Sequence, residues 1–235
     1  MTPALFPVVI LAGGLATRLR PLTETIPKAL IEINGEPFIA HQLRLLRKNN
    51  ITQVVLCLGF LGEQITEYVG DGSRFELNVS YVFDGPTLLG TAGAIKQALP
   101  LLKDDFFVLY GDSYLPCDYL AVQQAFIESQ QPALMTVFEN NSLWDTSNVE
   151  FAQQTIVSYN KIHRTQRMRY IDYGLGVFNR LAFDQIPANH PYDLALLYQD
   201  LLKRQQLAAF EIKQRFYEIG SFTGIEELGQ YLAAI

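Results

Sequence analysis

The chain has 235 residues, of which 49% are hydrophobic and 18% are charged, and its formal net charge is −6. This composition excludes a disordered chain and indicates one large domain or two small ones with a sizeable core. The acidic balance argues against broad nucleic-acid binding, which needs a basic face, although a few local cations and backbone amides suffice to bind a small anion.

The cysteines and the first residues predict the compartment. Cys57 and Cys117 form no CxxC motif and three histidines show no metal-ligand spacing, which predicts two reduced core thiols. Residues 1–7 lack a basic segment followed by a long apolar stretch, and the apolar run 8–12 is too short for a signal peptide or a membrane span. We therefore expect a cytoplasmic protein without a membrane partner.

The first half of the chain alternates between apolar runs, which predict strands, and amphipathic runs, which predict helices. In chain order the expected elements are strand 6–12, helix 37–49, strand 53–58, helix 61–69, strand 77–83, helix 91–99, strand 106–110 and helix 119–129. This alternation predicts βαβ units and an α/β, Rossmann-like fold with a mainly parallel sheet and helices on both faces. Because ligands bind beyond the carboxyl ends of such strands, segments 13–28 and 111–118 are candidate site segments.

The second half is less regular. Its expected elements are strands 133–139, 155–159 and 170–178, helix 192–205, strands 207–212 and 215–219, and helix 224–234. Neither a linker-like stretch nor an internal repeat interrupts the sequence. We therefore expect a single domain over 1–235.

A glycine-rich, basic segment follows the first predicted strand. Gly13 and Gly14 have no Cβ, which lets the backbone approach a ligand closely. The planar fork of Arg18 can bind phosphate oxygens, and Lys28 supplies a second cation. Together these cations would offset the charge of a triphosphate and stabilise leaving pyrophosphate. The alternative is a turn that merely needs two glycines; the spacing fits neither a P-loop nor a dinucleotide fingerprint.

The segment from Leu11 to Lys28 resembles the signature of the sugar-1-phosphate nucleotidyltransferase family: Leu-Ala-Gly-Gly, a variable pair, Thr-Arg-Leu, then Pro-Leu-Thr and a later Pro-Lys. The resemblance implies a GT-A-like nucleotidyltransferase fold. It also implies transfer of a nucleoside monophosphate from a nucleoside triphosphate to a sugar 1-phosphate, with Mg²⁺ as cofactor. The residues that it places on the nucleotide or its phosphates are Leu11, Ala12, Gly13, Gly14, Thr17, Arg18 and Lys28.

The resemblance further implies two carboxylates that hold Mg²⁺. Asp112 follows the strand 106–110 and matches one of them; a turn or helix-capping aspartate is the alternative. Residues 216–221 are similar to the family's C-terminal motif, but Glu218 stands where the family has aspartate. The resemblance favours Glu218 as the second metal ligand in place of that aspartate; the alternative is a strand residue with an exposed carboxylate, so the replacement itself stays open.

Two further segments match the sugar and base sides of the family's site. Lys161 corresponds to a lysine that contacts the sugar phosphate, and Asp172, Tyr173 and Gly174 belong to a segment that lines the sugar pocket in relatives. A solvated lysine and an ordinary glycine turn are the alternatives. On the base side the resemblance identifies Gly90, Thr91 and Ala92, with Asp84 and Gly85 facing the base; a glycine-bearing helix start is the alternative.

The run Gly-Thr-Ala-Gly over 90–93 is similar to that of mannose- and heptose-1-phosphate guanylyltransferases, which favours GTP over UTP and dTTP. The sugar and the choice between monomer and homodimer stay open.

The chain resembles the short, single-domain members of the family, since no hexapeptide repeats follow. The resemblance assigns about 1–130 to nucleotide binding and about 131–235 to sugar binding.

The implied mechanism is a direct in-line displacement, since the sequence shows no nucleophile triad and a phosphate is already ionised at neutral pH.

Three alternative functions stay open. A glycosyltransferase of similar fold usually carries Asp-x-Asp, whereas this sequence has Gly-Asp-Ser over 111–113. A non-catalytic regulatory homologue would bind nucleotide sugar without turnover. A cytidylyltransferase would act on a phospho-alcohol such as choline phosphate.

Overall fold

A nine-stranded mixed sheet organises the chain in a computed structural model that describes residues 4–85, 87–188 and 190–235. The strands are β1 (Val8–Leu11), β2 (Glu32–Ile33), β3 (Glu36–Pro37), β4 (Gln53–Leu58), β5 (Asn78–Phe83), β6 (Asp105–Tyr110), β7 (Ser113–Tyr114), β8 (Ala133–Glu139), β9 (Val149–Ala152), β10 (Thr155–Tyr159), β11 (Tyr170–Asn179), β12 (Leu207–Ile212) and β13 (Tyr217–Glu218). The helices are α1 (Phe38–Lys48), α2 (Gly62–Val69), α3 (Gly90–Ala98), α4 (Tyr119–Ser129), α5 (Leu194–Lys203) and α6 (Phe222–Ala233).

Four parallel strands from the first half form one side of the sheet. β1 lies between β4 and β6, and β5 pairs with β4, all in parallel register. Parallel strands covered on both faces read as continuous apolar runs, which is why Val8–Leu11 was recognisable in the sequence. The common direction brings the carboxyl ends of β1, β4, β5 and β6 to one edge of the sheet.

The other side of the sheet is mostly antiparallel. β11 pairs antiparallel with β6 and β8, β12 runs parallel to β8, and β9 and β10 form an antiparallel pair beyond β11. The predicted α/β class is confirmed, with a sheet that is mixed. β9 was not predicted, because it is only four residues long and carries Glu150.

Alternate residues of β1 point to the two faces of the sheet. Val8 and Ile10 pack in the cluster that contains buried residues of α1, α2 and α4. Val9 packs in the cluster that contains buried residues of α3 and α5. A third cluster joins α6 to the segment after β1 through Leu19, Ile33 and Leu228. The helices therefore cover both faces of the sheet, and α6 packs against the segment after β1 that contains the motif.

Helix α5 begins later than expected. The side chain of Asp193 accepts a hydrogen bond from the backbone N–H of Ala195, so Asp193 is the N-cap and Leu194 the first helical residue. The prediction of a start at residue 192 was wrong because the tyrosine there is apolar enough to extend the periodic pattern. Asp193, a residue type common at the N-cap, marks the start of α5 in the sequence.

Candidate functional site

The turn after β6 packs directly on the end of β1. The N–H of Gly111 donates to the carbonyl oxygen of Leu11 at 3.0 Å. A Cβ at position 111 would lie 2.5 Å from that oxygen and 2.8 Å from Cα of Ala12. Glycine is therefore required at position 111, and this close contact sets Asp112 beside the motif loop.

We expect Gly111→Ala to lower the free energy of unfolding by about 1–3 kcal/mol, because backbone atoms must move to admit the methyl group. Chemical denaturation measures this change. Gly14→Ala is the matched control, since a Cβ at Gly14 meets nothing within 4 Å. Equal stability of the two variants would contradict the packing described for the turn.

The motif loop is held in one conformation by local contacts. Gly13 lies against Gly59, where an added Cβ would come within 3.1 Å of the backbone nitrogen. Ala16 adopts a left-handed conformation with φ of 48°, and the hydroxyl of Thr23 donates to its carbonyl oxygen at 2.8 Å. Leu19 is fully buried in the cluster with α6. The loop backbone is thus fixed, while Gly14 stays exposed to a ligand.

A first cleft of about 230 Å³ opens at the carboxyl ends of the parallel strands. The predicted nucleotide residues that line it are Leu11, Ala12, Gly13, Gly14, Gly90 and Thr91, together with Lys28, Asp84 and Asp112. Thr17 is exposed and does not line this cleft, and Ala92 is fully buried behind its wall. The structure therefore brings together most of the residues that the motifs identified.

Lys28 and Asp112 form an ion pair in the lining of this cleft. Nζ of Lys28 lies 2.8 Å from Oδ2 of Asp112, and the two side chains are 17% and 29% exposed. The residues are 84 positions apart in the chain and meet because β1 and β6 are neighbours. A cation and a carboxylate are thus held side by side and remain within reach of a ligand.

The start of α3 lines another part of this cleft. Gly90 has φ of 67°, and an added Cβ would lie 2.8 Å from the carbonyl oxygen of Tyr192. That oxygen accepts hydrogen bonds from the N–H groups of Ala92, at 2.9 Å, and Gly93, at 3.2 Å. The hydroxyl of Thr91 accepts from the N–H of Leu194 at 2.7 Å. The polar groups of this helix start are therefore largely used within the protein.

A second cleft of about 340 Å³ adjoins the first and shares Tyr110 and Asp112 with it. The predicted residues that line it are Arg18, Lys161, Asp172, Tyr173, Gly174 and Glu218. Arg18 is exposed and lies here rather than in the first cleft. Every residue predicted for the sugar phosphate thus lies in a cleft separate from the nucleotide residues but joined to them at Asp112.

Tyr110 was missed by the sequence analysis, although it lies between the two clefts. Nζ of Lys161 is 3.4 Å from the Tyr110 hydroxyl and 5.1 Å from the centre of its ring. The sequence feature that could have identified Tyr110 is its position: it is an aromatic residue at the end of β6, directly before Gly111 and Asp112. The ring positions the lysine ammonium at the mouth of the second cleft.

Asp172 is a partly buried carboxylate in the second cleft. Oδ1 accepts the N–H of Gly174 at 3.1 Å, and Oδ2 accepts the hydroxyl of Tyr159 at 3.4 Å. Burial raises the pKa of Asp172, and the nearby ammonium of Lys161 partly opposes this rise. In the folded state the Asp172 carboxyl therefore keeps its proton at pH values where the same carboxyl of the unfolded chain has lost it. The free energy of unfolding falls as the pH rises from the unfolded pKa to the folded pKa of Asp172.

Asp172→Asn is expected to raise the melting temperature at neutral pH by about 2–4 °C, the change that roughly 1 kcal/mol produces in a chain of this size. The amide keeps an acceptor for Gly174 and carries no charge to desolvate. Thermal melts between pH 4 and pH 8 measure this effect. Asp104→Asn is the control, since its side chain is 81% exposed. A lower melting temperature for Asp172→Asn would contradict the burial effect.

Glu218 reaches the same cleft from the short strand β13, which pairs with β7 so that Glu218 lies opposite Ser113. The N–H of Ile219 donates to the carbonyl oxygen of Asp112 at 2.9 Å, which fixes β13 beside the turn after β6. Burial raises the pKa of Glu218, and the charges of Asp112 and Asp145 raise it further, whereas Arg18 and Lys28 lower it. Asp112 and Glu218 are thus two acidic groups that repel each other in one site.

The part of the chain that the structure describes holds neither a preformed metal cluster nor a membrane-spanning helix. No group of three or more histidine, cysteine, aspartate or glutamate side chains is arranged to hold a metal ion within residues 4–85, 87–188 and 190–235. Over the same ranges, no helix is both long and apolar enough to cross a membrane. Any metal held at Asp112 and Glu218 would have two protein carboxylates and would take its other ligands from elsewhere, as Mg²⁺ commonly does.

Comparison with known proteins identifies the family of the chain. The family model for nucleotidyl transferases matches residues 7–228. The chain belongs to the nucleotidyl transferase family.

The relatives that match this chain include sugar-1-phosphate nucleotidyltransferases. An N-acetylmuramate alpha-1-phosphate uridylyltransferase from Neisseria meningitidis is 41% identical over 117 residues, 49% of this chain and 51% of that one. A D-glycero-alpha-D-manno-heptose 1-phosphate guanylyltransferase from Campylobacter jejuni is 27% identical over 213 residues, 90% of this chain and 93% of that one. The chain spans about half the length of several relatives that it matches, the Neisseria protein among them.

A solved structure shares the fold. HddC from Yersinia pseudotuberculosis, complexed with GMP-PN, superposes with a TM-score of 0.80 at 24% identity, covering 97% of this chain and 100% of that one. The fold of the chain is therefore common to both proteins.

Proposed function

We propose that this chain transfers a nucleoside monophosphate from a nucleoside triphosphate to a sugar 1-phosphate and releases pyrophosphate. The observation that carries this proposal is the junction of two clefts at Asp112 and Tyr110. One cleft is lined by the motif loop and the start of α3. The other is lined by carboxylates, hydroxyls and cations that come mostly from the second half of the chain. Two separate substrates can thus meet at one point.

The first cleft accommodates the triphosphate. Gly13 and Gly14 let the backbone approach the nucleotide, and Lys28 supplies a cation at the end of the cleft that Asp112 occupies. The second cleft accommodates the sugar 1-phosphate, with Lys161 and Arg18 at its phosphate and Asp172 at sugar hydroxyls. About 1–130 therefore supply most of the nucleotide cleft, and about 131–235 most of the sugar cleft.

The chemical problem is repulsion between the two anions. Two unit charges 4 Å apart repel by about 1 kcal/mol in water and by more in a drier site. Lys28, Arg18 and Lys161 lie around the junction of the clefts and would lower this repulsion. The sugar phosphate oxygen then attacks the α-phosphorus and pyrophosphate leaves in line, a reaction that needs positioning and charge stabilisation rather than a protein nucleophile.

The carboxylates of Asp112 and Glu218 fit a magnesium ion. Both are hard oxygen donors, both line the second cleft, and they repel each other without a cation between them. Bound Mg²⁺ would supply further charge neutralisation to the phosphates. Nζ of Lys28 lies 2.8 Å from Oδ2 of Asp112, and this ion pair fixes the position of the carboxylate in the lining of the cleft.

GTP is the nucleotide that we favour over UTP and dTTP. The Campylobacter relative, which matches over 90% of this chain, is a guanylyltransferase, and the neighbouring Yersinia structure holds GMP-PN. The Neisseria relative is a uridylyltransferase that matches over about half of the chain. A UTP--glucose-1-phosphate uridylyltransferase from Synechocystis matches over 79% of the chain, so the preference for GTP rests on the greater coverage of the Campylobacter match and on the run 90–93.

A matrix of GTP, UTP, dTTP, CTP and ATP against several sugar 1-phosphates, with Mg²⁺ and pyrophosphate detection, tests the proposal. Pyrophosphate release that depends on both substrates is the expected result. Binding of a nucleotide sugar without turnover would favour a regulatory homologue. Consumption of a nucleotide sugar would favour a glycosyltransferase, and turnover with CTP and choline phosphate would favour a phospho-alcohol cytidylyltransferase.

A further inference from the structure

The segment between β10 and β11 is basic, although the chain as a whole is acidic. It carries Lys161, Arg164, Arg167 and Arg169 in a chain whose formal net charge is −6. Nε of Arg167 lies 3.4 Å from Oε1 of Glu150, so that arginine is paired. Arg164 and Arg169 are exposed and have no ion-pair partner among the residues that the structure describes. Two guanidinium groups of this segment are therefore available to a ligand.

Both of these arginines line a polar pocket of about 300 Å³, the arginine pocket, which adjoins the second cleft. Among the described residues that line it, none is acidic, and Thr146, Ser147 and Thr165 carry hydroxyl groups. Thr146 and Arg164 line the second cleft as well. The arginine pocket is thus a side extension of the cleft to which we assign the sugar 1-phosphate.

Buried hydrogen bonds hold the two sides of the arginine pocket together. The hydroxyl of Ser147, which is buried, donates to the carbonyl oxygen of Arg169 at 3.2 Å and accepts the N–H of Ser142 at 3.0 Å. The N–H groups of Asn140 and Asn141 donate to the same carbonyl oxygen at 3.0 and 2.8 Å. These bonds use the backbone of Arg169 and leave its side chain for other partners. The pocket is therefore preorganised.

Arg164 lies where the arginine pocket meets the second cleft. Its Nε donates to the carbonyl oxygen of Lys161 at 3.1 Å. This bond orients the guanidinium and leaves the N–H groups of its two terminal nitrogens for a ligand. Lys161 lies in the second cleft beside Tyr110, where we place the sugar phosphate. An anion bound by Arg164 would therefore lie close to that phosphate.

The chemistry of the arginine pocket matches an oxyanion. A guanidinium presents parallel N–H donors that fit two carboxylate or phosphate oxygens, and threonine hydroxyls can donate to the same oxygens. Asp145 precedes Thr146 in the chain, but it lines the second cleft and not this pocket. A neutral sugar hydroxyl would leave the charge of both arginines uncompensated. The pocket therefore favours a ligand that brings its own negative charge.

We propose that the arginine pocket binds a second anionic group, a carboxylate or a phosphate, that the sugar 1-phosphate substrate carries in addition to its 1-phosphate. The pocket thereby selects charged sugars over neutral ones. This inference rests on the proposed function, because it takes the second cleft as the sugar site. It adds the chemical class of the sugar and the side chains that recognise it.

Steady-state kinetics with a nucleoside triphosphate that supports turnover tests the inference. Glucose 1-phosphate and mannose 1-phosphate are compared with derivatives that carry one added anion: the 6-carboxylate, the 6-phosphate and the 3-O-carboxymethyl ether. We expect at least one charged derivative to exceed its neutral parent in kcat/KM by about tenfold to hundredfold, the effect of a hydrogen bond to a charged group. The gain should lie mainly in KM and shrink as the salt concentration rises.

Arg164→Ala and Arg169→Ala should each cost the preferred charged derivative at least about ten times more kcat/KM than its neutral parent. Both side chains are exposed, and alanine keeps the carbonyl oxygen that frames the pocket at position 169, so both variants should fold. Arg167→Ala is the matched control. It removes the same charge from the same segment, but Arg167 lines neither cleft nor the arginine pocket and should leave the preference unchanged.

Equal kcat/KM for charged and neutral sugars in the wild type would overturn the inference and leave the proposed function standing. Equal losses for both kinds of sugar in Arg164→Ala, or an equal effect of Arg167→Ala on the preference, would also overturn it. A free oxyanion is the other source of the same chemistry. Calorimetric binding of inorganic phosphate that depends on Arg169, without any preference for charged sugars, would assign the pocket to a separate anion. No turnover of any sugar 1-phosphate would overturn the proposed function as well.

Discussion

Asp112→Ala should lower the rate of pyrophosphate release by about a hundredfold to a thousandfold, the loss typical for a group that stabilises charge in a preorganised site. The carboxylate lies where the two clefts join, is held by Lys28 at 2.8 Å, and shares the second cleft with Glu218. Its removal leaves Lys28 without its partner and halves the carboxylate set that we assign to Mg²⁺. Steady-state kinetics at saturating substrates measures the effect.

Asp104→Ala serves as the control, because this aspartate is 81% exposed at the opposite end of β6, just before the strand begins. The melting temperature of Asp112→Ala should stay within a few degrees of the wild type, since a partly exposed ion pair contributes little to stability. Turnover within twofold of the wild type would show that Asp112 has no part in the reaction.

The second large effect is expected for Arg18→Ala. Arg18 is exposed, lines the second cleft next to Asp112 and Glu218, and has no ion-pair partner among the described residues. A free guanidinium can bind two phosphate oxygens at once. We expect Arg18→Ala to reduce kcat/KM by about a hundredfold, with the melting temperature unchanged.

Arg20→Ala is the matched comparison for Arg18→Ala, because Arg20 is also exposed, lies two positions away and lines neither cleft. Arg18→Lys adds a second test: it keeps the charge but loses the planar fork, so it should restore only part of the activity. Equal rates for Arg18→Ala and Arg20→Ala would contradict a specific phosphate contact and leave only a general charge effect.

Much of the fold could be predicted because the strands are apolar on both faces and the helices amphipathic. The parallel strands β1, β4, β5 and β6 and the helices between them were identified from these patterns. The short elements were not: β2, β3 and β7 have two residues each, and pairing between distant segments decides whether such pieces are strands. β9, with four residues, was not predicted because it too is a short strand whose formation depends on pairing.

The candidate site was predictable where motif residues follow strands directly. Lys28, Asp112 and the glycines lie together because neighbouring strands end at one edge of the sheet. The ion pair of Lys28 with Asp112 was not predicted, since it depends on strand order rather than on any local pattern. The division into two clefts, with Arg18 in the second, likewise follows from the packing of the motif loop on α6.

The account depends most on the claim that the first cleft binds a polyphosphate between the motif loop and the Lys28–Asp112 pair. A crystal structure of the chain with a non-hydrolysable triphosphate and Mg²⁺ measures this directly. We predict the phosphates against Gly13 and Gly14, with Lys28 and Asp112 at their end of the cleft and the base toward Asp84. A nucleotide bound elsewhere, with this cleft empty at saturating concentration, would contradict the account.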